Sequence, residues 1–159
     1  MPTINPCLWF DTEGEDAATF YTSIFPNSRI LEVSRYGDAG PRPAGMAMTV
    51  SFVLDGKELT ALNGGPDFTF SEAISFQVMC DDQDEVDYYW SRLGDGGEEG
   101  PCGWLKDKFG LSWQIVPTAL PKLLSDPDQV KAQRAMKAML GMKKIEISAL
   151  LAAFNGAAS

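Results

Sequence analysis

An internal repeat limits the folds open to this chain more than any other feature of its sequence. Four apolar positions of a first predicted helix have apolar counterparts at one constant offset later in the chain, and two acidic positions in its first turn have acidic counterparts. The apolar positions follow the i, i+3, i+4, i+7 spacing of an amphipathic helix. They are Ala17, Phe20, Tyr21 and Ile24 in the first copy, and Val86, Tyr89, Trp90 and Leu93 in the second. The chain is therefore predicted to contain two copies of one structural unit.

Each copy has the same predicted order of strand, helix, strand, strand and strand. A helix start is indicated in the first copy by Thr12 with Glu15, and in the second by Asp82 with Glu85, because both pairs have capping-box spacing. The strands of the first copy are Thr3–Phe10, Arg29–Tyr36, Met46–Leu54 and Glu58–Leu62, and the second copy opens with Ala73–Cys80. Residues 63–66 (NGGP) break the pattern and mark the boundary between the copies. The predicted fold class is α+β, with two βαβββ modules.

The second copy ends in a hairpin over Cys102–Pro117, with the sequence CGWLKDKFGLSWQIVP. Gly110 supplies the positive φ that its turn requires. In the returning strand Leu111, Trp113 and Ile115 fall on one face, while Ser112 and Gln114 fall on the other. Gln114 is then either a core amide with satisfied hydrogen bonds or a polar group that points into a pocket.

Composition limits the classes of partner. The chain has 159 residues and a net charge of −9, which argues against nucleic acid and against anionic membranes. No apolar run approaches the ~20 residues that span a bilayer, and the N-terminus has no basic segment typical of a secretory signal. The spacing of the three cysteines fits no zinc pattern. We expect a cytoplasmic protein with reduced thiols.

The C-terminal tail, from Thr118 onward, differs from the rest of the chain in charge. Residues 1–117 contain 7 Lys and Arg against 19 Asp and Glu, whereas residues 118–159 contain 6 against 3. This tail is predicted to be helical, with Asp126 capping a helix that ends at Gly141 and a third helix beginning at Lys143 or Lys144. A basic tail on an acidic body predicts docking on a β-module, in cis or across a dimer, although solvated helix faces would also explain the charges.

Long segments of the chain resemble one known family. They are LWFD (Leu8–Asp11), FYTSIFPNS (Phe20–Ser28), LNGGPDF (Leu62–Phe68), ISFQVMCDDQDEVD (Ile74–Asp87), the Cys102–Pro117 hairpin and AQRAMKAMLGMKKIEISAL (Ala132–Leu150). They are similar to the PhnB-like, or 3-demethylubiquinone-9 3-methyltransferase-like, family of the vicinal oxygen chelate superfamily, which includes glyoxalase I, bleomycin-resistance proteins and extradiol dioxygenases. The resemblance implies a homodimer and a glyoxalase-like domain over residues 1–117 (modules 1–66 and 67–117), whose eight strands form a cup. Residues 118–159 are then a C-terminal helical extension.

The resemblance also indicates where metal-dependent relatives carry their ligands. These positions fall near Asn5, near Thr60 or Leu62, within Ala73–Ser75, and on Gln114. The chain contains no histidine, and neutral amide and hydroxyl oxygens make a poor site for zinc, nickel or iron. No metal and no cofactor are therefore expected, and a Rossmann-type cofactor turn rich in glycine is absent after the predicted strands.

The candidate ligand-binding residues are Asn5, Trp9, Cys102, Trp104, Lys106 and Gln114. Gln114 occupies the position of the eighth-strand ligand, and strand alternation adds Trp104, with Asn5 and Trp9 from the first module. Trp9, Trp104 and Trp113 either form a stacking wall for a flat ligand or belong to the core. Lys106 would lower the pKa of the Cys102 thiol, and Lys106 with Asp107 forms either an anion site or an ordinary surface turn.

The sequence favours a metal-free protein that binds a small organic molecule, whose identity the sequence does not reveal. The first alternative is an enzyme acting on a small aromatic substrate, by methyl transfer or as a lyase. The second is a structural homodimer without a ligand. No catalytic residue is assigned, because no general base stands out.

Overall fold

A computed structural model describes residues 1–156 of the chain. These residues form two compact units, one over Met1–Phe70 and a second from Ser71 onward. Each unit contains one four-stranded sheet and helices, so the predicted α+β class is confirmed. The two sheets are open, because each ends in two strands that pair on one side only within their own sheet.

The first unit has the predicted βαβββ order. Its elements are β1 (Cys7–Phe10), α1 (Gly14–Ile24), β2 (Arg29–Arg35), β3 (Ala47–Leu54) and β4 (Lys57–Asn63). The strand order in the sheet is β1-β4-β3-β2, with β1 parallel to β4 and the other pairs antiparallel. Asp55 and Gly56 connect β3 to β4 with φ values of 47° and 78°, which is the two-residue hairpin turn that an Asp-Gly pair favours.

One face of the first sheet packs against α1. The helix buries Ala17, Ala18, Tyr21 and Ile24, and the sheet contributes a set of buried apolar side chains, which are Leu8, Phe10, Val50, Phe52, Leu59 and Ala61. Tyr21 and Phe52 are fully buried, with their ring centroids 6.3 Å apart. The amphipathic spacing seen in the sequence therefore forms the core of this unit.

Helix α1 begins differently from the prediction. Thr12 does not cap it; the N-cap residue is Glu13, which makes no side-chain cap hydrogen bond. Instead the Gly14 N–H donates to Oδ1 of Asn63, 2.7 Å away at the end of β4. A Cβ on residue 14 would lie 2.7 Å from that oxygen, so the close approach requires glycine. The cap comes from a residue distant in sequence, which local spacing does not reveal.

The second unit repeats this topology. Its elements are β5 (Ser75–Cys80), α2 (Gln83–Gly94), β6 (Glu98–Glu99), β7 (Trp104–Lys106) and β8 (Ser112–Pro117), and its strand order is β5-β8-β7-β6. The predicted N-cap pair of α2 is present: Asp82 accepts from the Glu85 N–H at 2.9 Å, as in a capping box, whereas Glu85 accepts from the N–H of Asp81, the residue before the N-cap, at 2.8 Å. Both βαβββ modules are thus confirmed.

The β7–β8 turn is organised by Asp107, which is buried with 3% of its surface exposed. One carboxylate oxygen accepts from the N–H groups of Phe109 and Leu111, at 2.8 and 3.1 Å. The other accepts from the Trp113 indole N–H at 2.9 Å. Asp107 therefore holds the hairpin together from inside, and its carboxylate is not the surface charge that the sequence suggested.

The C-terminal tail is helical as predicted and forms α3 (Ala119–Leu124), α4 (Gln129–Leu140) and α5 (Ile147–Phe154). Two of its predicted helix starts are wrong. Asp128 rather than Asp126 caps α4, because Asp126 accepts from the Asp128 N–H and orders the turn before the helix. Helix α5 does not begin at Lys143 or Lys144, because the backbone just before it is bound to the hairpin.

The tail docks in cis on the second module. Backbone N–H groups of Cys102 and Gly103 each donate over 2.8 Å, to the carbonyls of Met142 and Lys143. The Gln83 side chain on α2 binds the backbone of Ile145 and Ile147. Behind these contacts lies an apolar cluster formed by Val116, Leu120, Ile145 and Leu150.

No helix among residues 1–156 is long and apolar enough to cross a membrane. The longest helices, α2 and α4, have 12 residues each. A helical span of a bilayer needs about 20.

We predict that Asn63→Ala destabilises the first unit by about 3 kcal/mol, because it leaves the Gly14 N–H without its partner and also removes the bond from Asn63 to the Ala47 carbonyl. Chemical denaturation followed by circular dichroism measures the change in the free energy of unfolding. Asn5→Ala, at an exposed asparagine, is the matched control and should stay near the wild type. Equal stability of the two variants would contradict this role for Asn63.

We predict that truncation after Pro117 lowers Tm by at least about 10 °C or causes aggregation, since it exposes the apolar cluster beneath the tail. Truncation after Gly156 leaves that cluster intact and serves as the control. A protein ending at Pro117 that stays soluble with an unchanged Tm would show that the tail does not support the second module.

Candidate functional site

The two faces of the second sheet differ sharply in polarity. One face carries Leu105, Trp113, Ile115 and Cys80, all buried, and α2 packs over it with Val86, Tyr89, Trp90 and Leu93. Because side chains alternate along a strand, the intervening residues project from the opposite face. That open face is mostly polar and carries Ser75, Gln77, Glu98, Trp104, Lys106, Ser112 and Gln114.

The strand register arranges these residues in two rows across the sheet. The first row runs from Glu98 through Lys106 and Ser112 to Ser75. The second runs from Trp104 through Gln114 to Gln77. Residues paired in this way on neighbouring strands have side chains on the same face and in reach of one another.

A pocket of about 450 Å³ lies at this part of the unit. Trp104, Lys106 and Ser112 line it, and its rim also includes carboxylates and apolar groups; the remaining lining residues are Glu72, Glu98, Glu99, Gly100, Pro101 and Leu105. Its volume lies within the range of small-molecule sites, roughly 300–1,000 Å³.

Ser112 is the polar residue of this pocket whose hydrogen bonding is least expected. It is 1% exposed, and its hydroxyl has no hydrogen-bond partner among residues 1–156. An unpaired buried hydroxyl costs about 1–3 kcal/mol. In the described part of the chain the two other buried polar residues are Asn63 and Asp107, which have several hydrogen bonds each. Ser112 is thus a buried polar group whose partner the fold does not supply.

Lys106 forms an ion pair with Glu72 at the edge of the pocket. The hydrogen bond and the charge of Glu72 raise the pKa of Lys106, and the nearby charge of Glu98 raises it further. The same pair lowers the pKa of Glu72. Both groups are therefore charged at neutral pH, and the ion pair is largely open to solvent, with side chains 40% and 60% exposed.

Gln114 lies beside Trp104 on the open face, away from α2. Its amide nitrogen donates to Ser75 Oγ at 2.8 Å, and its oxygen accepts from Gln77 at 3.5 Å. Cys102 lies just before β7 with a φ of 58°, and its N–H binds the tail. The fold thus brings Trp104, Lys106 and Gln114 together on one face and places Cys102 outside that face.

Asn5 and Trp9 belong to the first unit. Asn5 is exposed ahead of β1. Trp9 is half-buried and has structural partners: its indole N–H donates to the Gly65 carbonyl at 2.9 Å, and its ring meets Phe68 edge-on with centroids 4.9 Å apart. As ligand contacts, Asn5, Trp9 and the four residues of the second unit remain predictions.

Of the nine residues that line the pocket, only Trp104 and Lys106 were candidates from the sequence, and the most important of the others are Ser112 and Glu72. Ser112 could have been found, because it precedes Gln114 by two positions and so shares its face. Glu72 carried no such signal, since it lies in an irregular segment before β5 and meets Lys106 only in the folded unit.

The donors at this site do not suit a transition metal. Within residues 1–156 there is no cluster of three or more His, Cys, Asp or Glu side chains that could hold a metal ion. Gln114, at the position where metal-dependent relatives are expected to carry a ligand, offers a neutral amide already bonded to Ser75 and Gln77. Neutral oxygens of this kind bind zinc or iron weakly.

The family model described as 3-demethylubiquinone-9 3-methyltransferase matches residues 2–116, which include both βαβββ modules. The chain belongs to this family. Its PhnB-like character, expected from the sequence motifs, is confirmed. The family match ends before α3, so the tail that docks on the second module lies outside it.

Solved structures are similar to this member of the 3-demethylubiquinone-9 3-methyltransferase family. A putative 3-demethylubiquinone-9 3-methyltransferase, PhnB protein, from Bacillus cereus is 32% identical, with a TM-score of 0.67 over 74% of this chain and 100% of its own. A protein from Pseudomonas aeruginosa is 20% identical, with a TM-score of 0.61 over 74% and 98%. The fosfomycin resistance protein FosX from Mesorhizobium loti is 13% identical, with a TM-score of 0.56 over 79% and 98%, and shares the fold. No curated protein matches the chain.

We predict that Cys80 resists alkylation in the folded protein while the exposed Cys7 reacts. Burial, followed by the charges of Glu85, Asp81 and Asp82, raises the pKa of Cys80 to about 12, so at pH 8 only about one molecule in ten thousand carries the reactive thiolate. A raised pKa also means that this thiol stabilises the folded state below its unfolded pKa and loses that contribution as the pH rises toward 12. Iodoacetamide labelling and mass spectrometry, with and without denaturant, measure this; equal native rates for Cys7 and Cys80 would contradict it.

Proposed function

We propose that this protein binds a small organic molecule on the open face of its second sheet, without a metal ion. The observation that carries the proposal is the buried, unpaired hydroxyl of Ser112 in a pocket of about 450 Å³. Natural folds rarely leave such a group unsatisfied, and a bound molecule would supply the missing hydrogen bond.

The other lining residues fit this role. Trp104 and Pro101 offer apolar surface, while Lys106 and Ser112 offer donors beside it. Apolar walls with a few polar groups are typical of small-molecule sites. Gln114 lies next to Trp104 and joins Ser75 and Gln77 in a hydrogen-bonded row that positions this part of the sheet.

The alternative is an enzyme acting on a small aromatic substrate, and the family description favours methyl transfer. Against this, the turns that lead from strand to helix contain Asp11-Thr12-Glu13 and Asp81-Asp82, with no glycine-rich cofactor loop. Incubation with S-adenosylmethionine and a catechol tests it: formation of the methyl ether would favour the enzyme over the binding protein.

We further propose that the protein is a cytoplasmic homodimer. The supporting observation is that β2, seven residues long, pairs with β3 on one side only within its sheet, and unpaired edges favour association. Sedimentation distinguishes a monomer from a dimer. A dimer that accepts no ligand would support the purely structural alternative.

We predict that Ser112→Ala stabilises the free protein by about 1 kcal/mol while weakening ligand binding. The substitution removes an unsatisfied hydroxyl from the free state and a hydrogen bond from the complex. A fragment screen by thermal shift identifies ligands, since a ligand at 100 times its Kd adds about 2.7 kcal/mol. NMR then shows whether the Trp104 indole signal moves.

Ser91→Ala is the matched control, because the Ser91 hydroxyl is bonded within α2. It should alter neither the hits nor their affinity. A screen with no hit that moves the Trp104 signal, or hits with equal affinity for the wild type and Ser112→Ala, would contradict the proposed site.

A further inference from the structure

We propose that the ligand carries a carboxylate and that this group displaces Glu72 from Lys106. The inference rests on the proposed function and specifies the chemical class of the ligand. In the free protein Glu72 then acts as an internal occupant of the anion position, and it leaves when the ligand arrives.

The ion pair itself is the first argument. Lys106 is the sole basic side chain among the residues that line this pocket within the described part of the chain. Its partner is a carboxylate, so the position already accommodates the group that the ligand would bring. Glu72 lies in the turn before β5 and is 60% exposed. It can move into water at little cost, because exposed ion pairs contribute only about 0–1 kcal/mol.

Ser112 is the second and independent argument. It lies directly opposite Lys106 in the β7–β8 register, so the two side chains share the open face. Paired positions of this kind have Cβ atoms about 5 Å apart. One carboxylate can therefore accept from the ammonium of Lys106 and from the hydroxyl of Ser112, whose hydrogen-bonding capacity is unused.

The position between Lys106 and Ser112 favours an anion over a cation, although the row as a whole carries a net negative charge. Glu98 lies opposite Lys106 on the other side, in β6, so the row holds one positive charge near two carboxylates. A ligand carboxylate that replaces Glu72 leaves the charge beside Lys106 unchanged. Glu98 repels the ligand carboxylate and the Glu72 carboxylate alike. A cationic ligand that approached the Ser112 hydroxyl would instead be repelled by the neighbouring ammonium of Lys106.

The remainder of the ligand is aromatic or apolar. Trp104 lies two residues before Lys106 on the same face of β7, and Pro101 also lines the pocket. An aromatic acid therefore fits, with its carboxylate at Lys106 and Ser112 and its ring against Trp104.

The experiment compares three probes of one size, which are phenylacetate, phenethyl alcohol and phenethylamine. Binding to the full chain is followed by two-dimensional NMR through the Trp104 indole and Ser112 amide signals. The variants are Glu72→Gln, which removes the internal competitor, and Lys106→Gln, which removes the anion's partner. Asp84→Asn is the control, because it removes one negative charge from the first turn of α2, on the opposite side of the sheet.

Phenylacetate should bind more tightly than the other two probes. Glu72→Gln should strengthen its binding about fivefold and leave the alcohol unchanged. Lys106→Gln should reduce the affinity for phenylacetate to that for the alcohol. Asp84→Asn should change the affinity for neither probe.

Tightest binding by phenethylamine, or weaker phenylacetate binding by Glu72→Gln, would overturn the carboxylate inference while the proposed binding site stands. Failure of phenylacetate to move the pocket signals of Glu72→Gln would also overturn it. The proposed function fails separately, when no fragment of any charge class moves the Trp104 signal.

Discussion

The packing of one amphipathic helix against one face of each sheet is the constraint on which the rest of this structure depends. In the second unit α2 covers Leu105, Trp113 and Ile115, so strand alternation places Lys106, Ser112 and Gln114 on the opposite face. A slip of one residue in β8 would reverse this arrangement and bury the polar set. The candidate site is thus a direct consequence of how the core is formed.

Buried polar groups fix the details of that arrangement. Asn63 joins the end of β4 to the start of α1 and to β3, and Asp107 holds both sides of the β7–β8 turn. Each has the partners that a buried polar group requires. Ser112 does not, although Asp107 lies only a few residues away with three hydrogen bonds. This contrast within one hairpin supports the proposal that Ser112 binds a ligand.

The tail shows how a segment outside the family match is built into the module. Its backbone before α5 pairs with Cys102 and Gly103, directly ahead of the strand that carries Trp104 and Lys106. At Gly103 φ is 83°, and a Cβ there would lie 2.8 Å from the Ile115 carbonyl oxygen and 3.1 Å from Ile145. The hairpin and the tail therefore fit each other at a position that only glycine allows. The stability of the pocket strand and the docking of the tail are physically linked.

Local pattern was sufficient for much of this protein. The internal repeat, the period of the helices and the turn residues predicted both βαβββ modules, the faces of β8 and the helical tail, because each depends on neighbours in sequence. The cap of α1 by Asn63, the burial of Asp107 and the start of α5 at Ile147 followed from partners far along the chain or across a turn, which spacing does not encode. The same division applies to the site. Strand alternation placed Ser112 on the face of Gln114. The ion pair of Lys106 with Glu72 and the lack of a hydrogen-bond partner for Ser112 arise only once the strands are paired.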